Sequence, residues 1–324
     1  MTEMFVELIV DLEDSLEKIS TKISNRNKIT DVPDELYHYT SAEGIIGIIE
    51  SDSMWATDVS YLNDSSEVKH SLRVFENIIL DKEKEPLSDV AMEFLNQAKQ
   101  NFNPFIGAFT PYILCFCCDN DLLSQWRGYA NSGGGYCIGL SGQAINRSSI
   151  NNVDPRKFKL IPVVYDENRQ YDEMKELLDD ICNSLDKITH GISPSLGMAA
   201  ILSCLCELKY HLSTMLCTYK NNSFSEENEW RLIFIERSSY SKGTKIRSGQ
   251  FGLVPYVPIR LVAKNTSQLK HTPITSVMIG PTIKDKQQIR PLNLLLNNND
   301  FSSHHTGYKW RGVHINVSKI PLRY

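Results

Sequence analysis

The feature that most constrains the fold is a change of hydrophobic period partway along the chain. From about residue 168 to 220, Tyr171, Met174, Leu177, Leu178, Ile181 and Leu185 recur at helical intervals. After a break at Ser193-Pro194, Ile201, Leu205, Leu208, Leu212 and Leu216 do so again. This reads as a helical hairpin inserted into something else. On either side of it, apolar residues gather in short runs bounded by turn-forming residues, which read as strands. The runs are 36–40, 53–58, 112–118, 136–140 and 160–166 before the hairpin, and 229–236, 253–263, 274–280 and 313–320 after it. Strands and helices mix without a regular βαβ rhythm, so the expected class is α+β with a largely antiparallel sheet.

Two further helices are marked by their starts. Ser41 can accept a free first-turn amide and so cap a helix over 42–50. Asp64 and Glu67 stand at capping-box spacing before another helix. Ahead of the first strand, Phe5, Leu8, Ile9, Leu12, Leu16 and Ile19 form an amphipathic stripe over residues 4–24, which must cover either the body of the protein or a partner. Residues 25–34 are polar and read as a linker, so the expected organisation is a leading helix and linker over 1–34 and one domain over 35–324, carrying the insertion.

Composition narrows the function classes. Among 324 residues, 41% are hydrophobic and 23% charged, an ordinary globular balance. The formal net charge of −5 gives no broad basic footprint for nucleic acid, although a local basic groove stays open. Cys115, Cys117 and Cys118 crowd one apolar run, and Cys204 and Cys206 another, which reads as buried free thiols; no metal site is expected. The acids Glu3, Glu7, Asp11, Glu13 and Asp14 do not suit a signal peptide, and no apolar stretch approaches a membrane span, so a cytoplasmic protein is expected. Nucleophile-elbow, Walker, zinc-protease, EF-hand and Rossmann patterns do not occur.

Three segments could carry chemistry. In a strand, His38 and Thr40 share one face while Tyr37 and Tyr39 share the other. A neutral histidine there is either packed in the core or placed to bond a ribose hydroxyl. Read as the start of a strand, the run Glu226 to Arg231 would put Glu227, Glu229 and Arg231 on one face and Trp230, Leu232 and Phe234 on the other. The polar side forms a charge ladder, or supplies a carboxylate that stabilises an oxocarbenium-like sugar. Third, Trp126 and Tyr129 could stack on a base, and Arg127 could hold a phosphate. Gly133, Gly134 and Gly135 allow close approach to a ligand or make an ordinary turn. Asn63 and Asp64 either cap a helix or use its N-terminus to favour an anion.

Taken in order, these pieces resemble bacterial domain-of-unknown-function family 2971. The matching runs are Leu36-Tyr37-His38-Tyr39-Thr40, Met54-Trp55-Ala56-Thr57, Leu62-Asn63-Asp64 with Glu67, Cys115-Phe116-Cys117 and Gln125-Trp126-Arg127 with Tyr129. Gly135 to Gly139, Glu227 with Glu229 and Arg231, Ile279-Gly280-Pro281 and the closing Ser318 to Arg323 continue the match across about residues 36–324. That family in turn resembles ADP-ribosyltransferases. The second resemblance implies a split, mostly antiparallel sheet with flanking helices and NAD in the cleft as substrate. His38 would hold a ribose, Glu229 would face the nicotinamide ribose, and Glu227 would orient an acceptor. Tyr39, Thr40, Asn63, Trp126, Arg127, Tyr129 and Arg231 would line the site. The implied activity is transfer of ADP-ribose to a protein or nucleic acid, as a toxin or phage-defence effector. NAD hydrolysis and a silent nucleotide or ADP-ribose sensor, or a module docking through the leading helix, are the alternatives. On this reading His38 and Glu229 approach one cleft, and Glu229→Gln removes turnover while leaving thermal stability near wild type.

Overall fold

The structure, a computed structural model, describes residues 2–26, 31–62, 65–100, 110–150, 158–190, 194–236, 243–249, 252–263, 271–283, 285–301 and 312–321. The expected period change is visible directly. Helices α7 (Glu167–Thr189) and α8 (Pro194–Leu216) pack against each other, burying Met174, Leu178, Ile181 and Leu185 from one and Leu208 and Leu212 from the other. Asp166 starts α7 by accepting from the Arg169 amide at 2.9 Å. Helices α1 (Thr2–Arg26), α3 (Ser65–Lys82) and α4 (Asp89–Gln100) complete this helical lobe. The described part of the leading stripe covers the inserted hairpin: Leu12 and Ile19 are buried there, and Lys22 pairs with Glu176 at 2.7 Å, while the side chains of Phe5, Leu8 and Ile9 lie outside the described residues. Capping residues Asn63 and Asp64 lie outside the described residues.

The other lobe is α+β, with a mixed and mostly antiparallel sheet. Its described strands join in the order β12-β11-β4-β1-β3-β2-β9-β8. These are β1 (Glu35–Thr40), β2 (Met54–Asp58), β3 (Thr110–Cys117), β4 (Tyr136–Ser141), β8 (Lys245–Gly249), β9 (Gly252–Ile259), β11 (Ile274–Ile279) and β12 (His314–Val317). Strand β7 (Glu229–Glu236) branches from β3 and carries β6 (Phe158–Pro162) on its far side. Only β11 and β12 run parallel within this sheet, among the described strands. A separate ribbon pairs β5 (Ser148–Ile150) with β10 (Leu261–Ala263), so the single run expected over 253–263 is two strands parted at Arg260.

Strand β3 positions the site. One edge pairs with β7 along its whole length, from Thr110↔Glu236 to Cys117↔Glu229. Its other edge is shared. β1 meets it at Tyr37↔Cys117, while β2 meets it at Thr57↔Ile113 and Asp58↔Tyr112. The sheet forks between those contacts, at Leu114 to Phe116. Paired residues share a face. Leu36, Phe116, Ile138, Trp230 and Leu232 thus meet one core with α2 (Ala42–Ser51) and α9 (Asp285–Asn298). Ser41 caps α2 as expected, accepting from the Gly44 amide at 3.1 Å. On the opposite face Ile113, Ile161 and Ile233 pack with Cys217, just beyond the end of α8. Among the described residues, no helix is long and apolar enough to cross a membrane.

Candidate functional site

Glu229 opens β7 immediately after a tight 3-10 turn, Asn222–Glu227. The Asn221 side chain caps that turn at the Ser223 amide, and Asn228 ends it in the left-handed region at φ 40. Asparagine tolerates that conformation better than most residues. The kink corrects one expectation: Glu227 belongs to the turn, not to the strand face of Glu229 and Arg231. A residue the sequence did not mark gathers the two carboxylates instead. Lys220, whose side chain is 2% exposed, donates to Glu227 Oε2 at 2.6 Å and to Glu229 Oε2 at 3.2 Å.

Arg231 grips Glu229 from its own strand, Nε to Oε1 at 2.8 Å and Nη2 to Oε2 at 2.9 Å. It also donates from Nη1 to the Cys217 carbonyl at 2.8 Å. The Tyr165 hydroxyl accepts from the Glu229 amide at 3.0 Å. Burial alone would raise the Glu229 carboxyl. The Arg231 charge and hydrogen bonds, then Lys220 and the Cys115 thiol, outweigh it and bring the group from its ordinary 4.5 down to about 2. Glu229 is therefore an ionised carboxylate inside the protein, in a cluster with two cations. Above the cluster the Phe224 ring lies 5.0 Å from Lys220 Nζ. Tyr129 belongs here too. The residue is 41% exposed, yet burial of its hydroxyl raises its pKa; the Lys220 charge opposes that rise, and Cys115, Glu227 and Glu229 add to it.

His38 stands at the fork. Its Nδ1 lies 2.9 Å from the Cys115 carbonyl, so the tautomer that makes this bond donates from Nδ1 and leaves Nε2 as an acceptor. Burial lowers its pKa first; the carbonyl bond opposes that, and the nearby Arg247 charge lowers it further. The imidazole is consequently neutral. The ring lies deep among protein atoms while the residue keeps partial solvent access. By register His38 leaves β1 on the Phe116 face, making an edge contact with that ring at 6.3 Å, whereas Glu229 lies on the Cys117 face. The two lie on opposite faces of the sheet by this register, which corrects the expectation that they approach one cleft from a shared face. Cys115 joins them, its carbonyl to His38 and its thiol to Glu229.

The remaining expected residues divide clearly. Trp126 is 0% exposed, its indole donates to Asp121 at 2.8 Å, and Tyr39 meets it edge-on at 4.9 Å. The expectation that Trp126 stacks on a ligand is corrected: its ring faces are spent in the core. Tyr39 is structural by the same test, since its hydroxyl donates to the Asp119 carbonyl and accepts from the Leu122 amide, both at 2.9 Å. Arg127 is exposed on the last turn of α5 (Leu123–Tyr129) and does not join the buried cluster. Thr40 is half-buried where β1 ends, and its carbonyl explains Gly135. A Cβ at Gly135 would lie 2.3 Å from that carbonyl, so this glycine serves close strand approach. Arg231 is committed to Glu229 and Cys217 and is not open to a phosphate. Asn63 lies outside the described residues.

Fold and site thus define an α+β protein with a forked sheet and a buried carboxylate–cation cluster beside the fork. The family described as Protein of unknown function (DUF2971) matches residues 125–232, about a third of the chain. That segment runs from α5 to β7 and includes the helical hairpin, Lys220, Glu227, Glu229 and Arg231. No curated protein and no solved structure matches the chain.

Proposed function

We propose that the chain cleaves the nicotinamide–ribose bond of NAD and transfers ADP-ribose to a macromolecular acceptor. The observation that carries this reading is Glu229, kept ionised in a buried position beside the sheet fork. A negative charge fixed in a site of low polarity stabilises positive charge growing at C1′ far better than it would in water. His38 contributes the neutral acceptor Nε2, suited to a ribose hydroxyl at the fork. Because the two residues lie on opposite faces, this reading requires the dinucleotide to be seated along the fork and not across one face. The Tyr129 ring, partly open to solvent near the cluster, offers an aromatic surface for nicotinamide once Trp126 is set aside. Glu227, beside Glu229 at Lys220, orients the acceptor.

One observation favours a second reading. Both Glu229 oxygens already accept from Arg231, and one also from Lys220, which suits a nucleotide sensor that binds without cleaving. Labelled NAD incubated with the purified chain, with and without cell lysate, separates the cases. Transfer requires label on a macromolecule when lysate is present. Nicotinamide release without lysate indicates hydrolysis. Binding with no release under either condition overturns cleavage and leaves the sensor.

A further inference from the structure

Near the fork lies a cation, Arg247, with no counter-ion among the described residues. Arg247, on β8, donates from Nη2 to the Thr57 hydroxyl at 3.0 Å. Thr57 pairs with Ile113 on β3, two residues along the same face from Cys115, whose carbonyl holds His38. Arg247 Nε is buried and has no hydrogen-bond partner, and among the described residues no carboxylate lies within ion-pair distance. A desolvated donor left unpaired is costly, and a guanidinium offers a fixed fork of donors that matches phosphate oxygens. The other buried cations described above differ in kind: Arg231 and Lys220 already bind carboxylates.

We propose that Arg247, held by Thr57 near the fork, is an anion-binding site that takes the pyrophosphate of the dinucleotide. This rests on the NAD reading and adds the residue that recognises the phosphates, a role expected of Arg127 from the sequence. The neighbouring chemistry fits. Thr57 holds one arm of the guanidinium and sets its direction, and His38 Nε2 can accept from a ribose hydroxyl beside the phosphates. The buried Nε gains an acceptor only when an anion arrives. The lowered pKa of His38 agrees with this placement, since the Arg247 charge is one of its causes.

Calorimetry on the full chain tests it, with ADP-ribose and inorganic pyrophosphate as probes. Loss of a charge-assisted bond pair from Arg247→Gln is expected to weaken both by about 10- to 100-fold. Arg247→Lys keeps the charge but not the fork, and is expected to weaken both by roughly 3- to 10-fold. If Arg247→Gln fails to fold, the lysine variant decides the question. Wild-type affinity in the folded variant, or no binding of either probe by the wild-type chain, overturns the proposal. Arg247-dependent binding without nicotinamide release supports the anion site and overturns cleavage. Nicotinamide release that Arg247→Gln leaves unchanged does the reverse.

Discussion

Replacing Glu229 by glutamine changes stability as well as chemistry, and the structure sets the size of the effect. The carboxyl is brought from 4.5 to about 2 by Arg231, Lys220 and the Cys115 thiol against the opposing effect of burial. At ~1.4 kcal/mol per pKa unit, the ionised form contributes roughly 3 kcal/mol to folding. The sign follows from a depressed folded-state value. The contribution is full above the unfolded-state value near 4.5 and is lost as pH falls toward 2. Glutamine keeps the shape and one acceptor oxygen but leaves Arg231 and Lys220 buried with one carboxylate fewer. Removing one partner of a buried pair typically costs ~3–5 kcal/mol. Glu229→Gln is therefore expected to lose about 3 kcal/mol at pH 7, and to lack the part of the acid-induced loss that the wild type shows between about pH 5 and 2. Urea unfolding followed by tryptophan fluorescence at pH 7, repeated in steps down to pH 2, reads both. A variant within about 0.5 kcal/mol of wild type at pH 7, with the same acid slope, refutes the reasoning. The outcome expected from the sequence alone, stability near wild type, is the one the geometry reverses.

Three other substitutions follow from the same geometry. Lys220→Met removes one of the two cations on Glu229, so the acid limb of a stability–pH profile is expected to move to higher pH; an unmoved limb contradicts the bridging role. Trp126→Ala, at a wholly buried site, is expected to cost ~3–5 kcal/mol in denaturant unfolding, whereas a loss under ~1 kcal/mol restores it as a surface stacking group. Arg127→Ala, at an exposed position, is expected to stay within about 0.5 kcal/mol of wild type in the same assay, and a larger loss shows a structural partner for it.

What was legible in the sequence is what local rules govern. The stripes of α7 and α8 appear because 3.6-residue periodicity is imposed by the helix itself, and Ser41 appears because a cap acts within three residues. Strand β1 was placed within one residue. Helix α9 was missed because Pro291 and its run of asparagines argue against a helix that tertiary packing of Leu292 and Leu296 sustains. Trp126 misled for a different reason. An aromatic between Gln125 and Arg127 looks exposed, but the helical turn points it inward to Asp121. Lys220 and Arg247 carried no local signal at all. Each gains meaning only from residues brought to it by the fold, Glu227 and Glu229 for one, Thr57 and His38 for the other. The step from Glu227 to Glu229 was misread because a left-handed Asn228 breaks the strand period between them.

Under the proposed reaction the ionised Glu229 stabilises positive charge at C1′ as NAD is cleaved, and nicotinamide release with lysate as acceptor, compared between wild type and Glu229→Gln, tests this. Rates are compared per folded molecule, at a temperature where both remain folded by circular dichroism. The account predicts release by the wild type and a fall of about 10²–10³ or more in the variant, with ADP-ribose still bound. Equal rates in the two proteins, or no release by a wild type that binds ADP-ribose, contradict it.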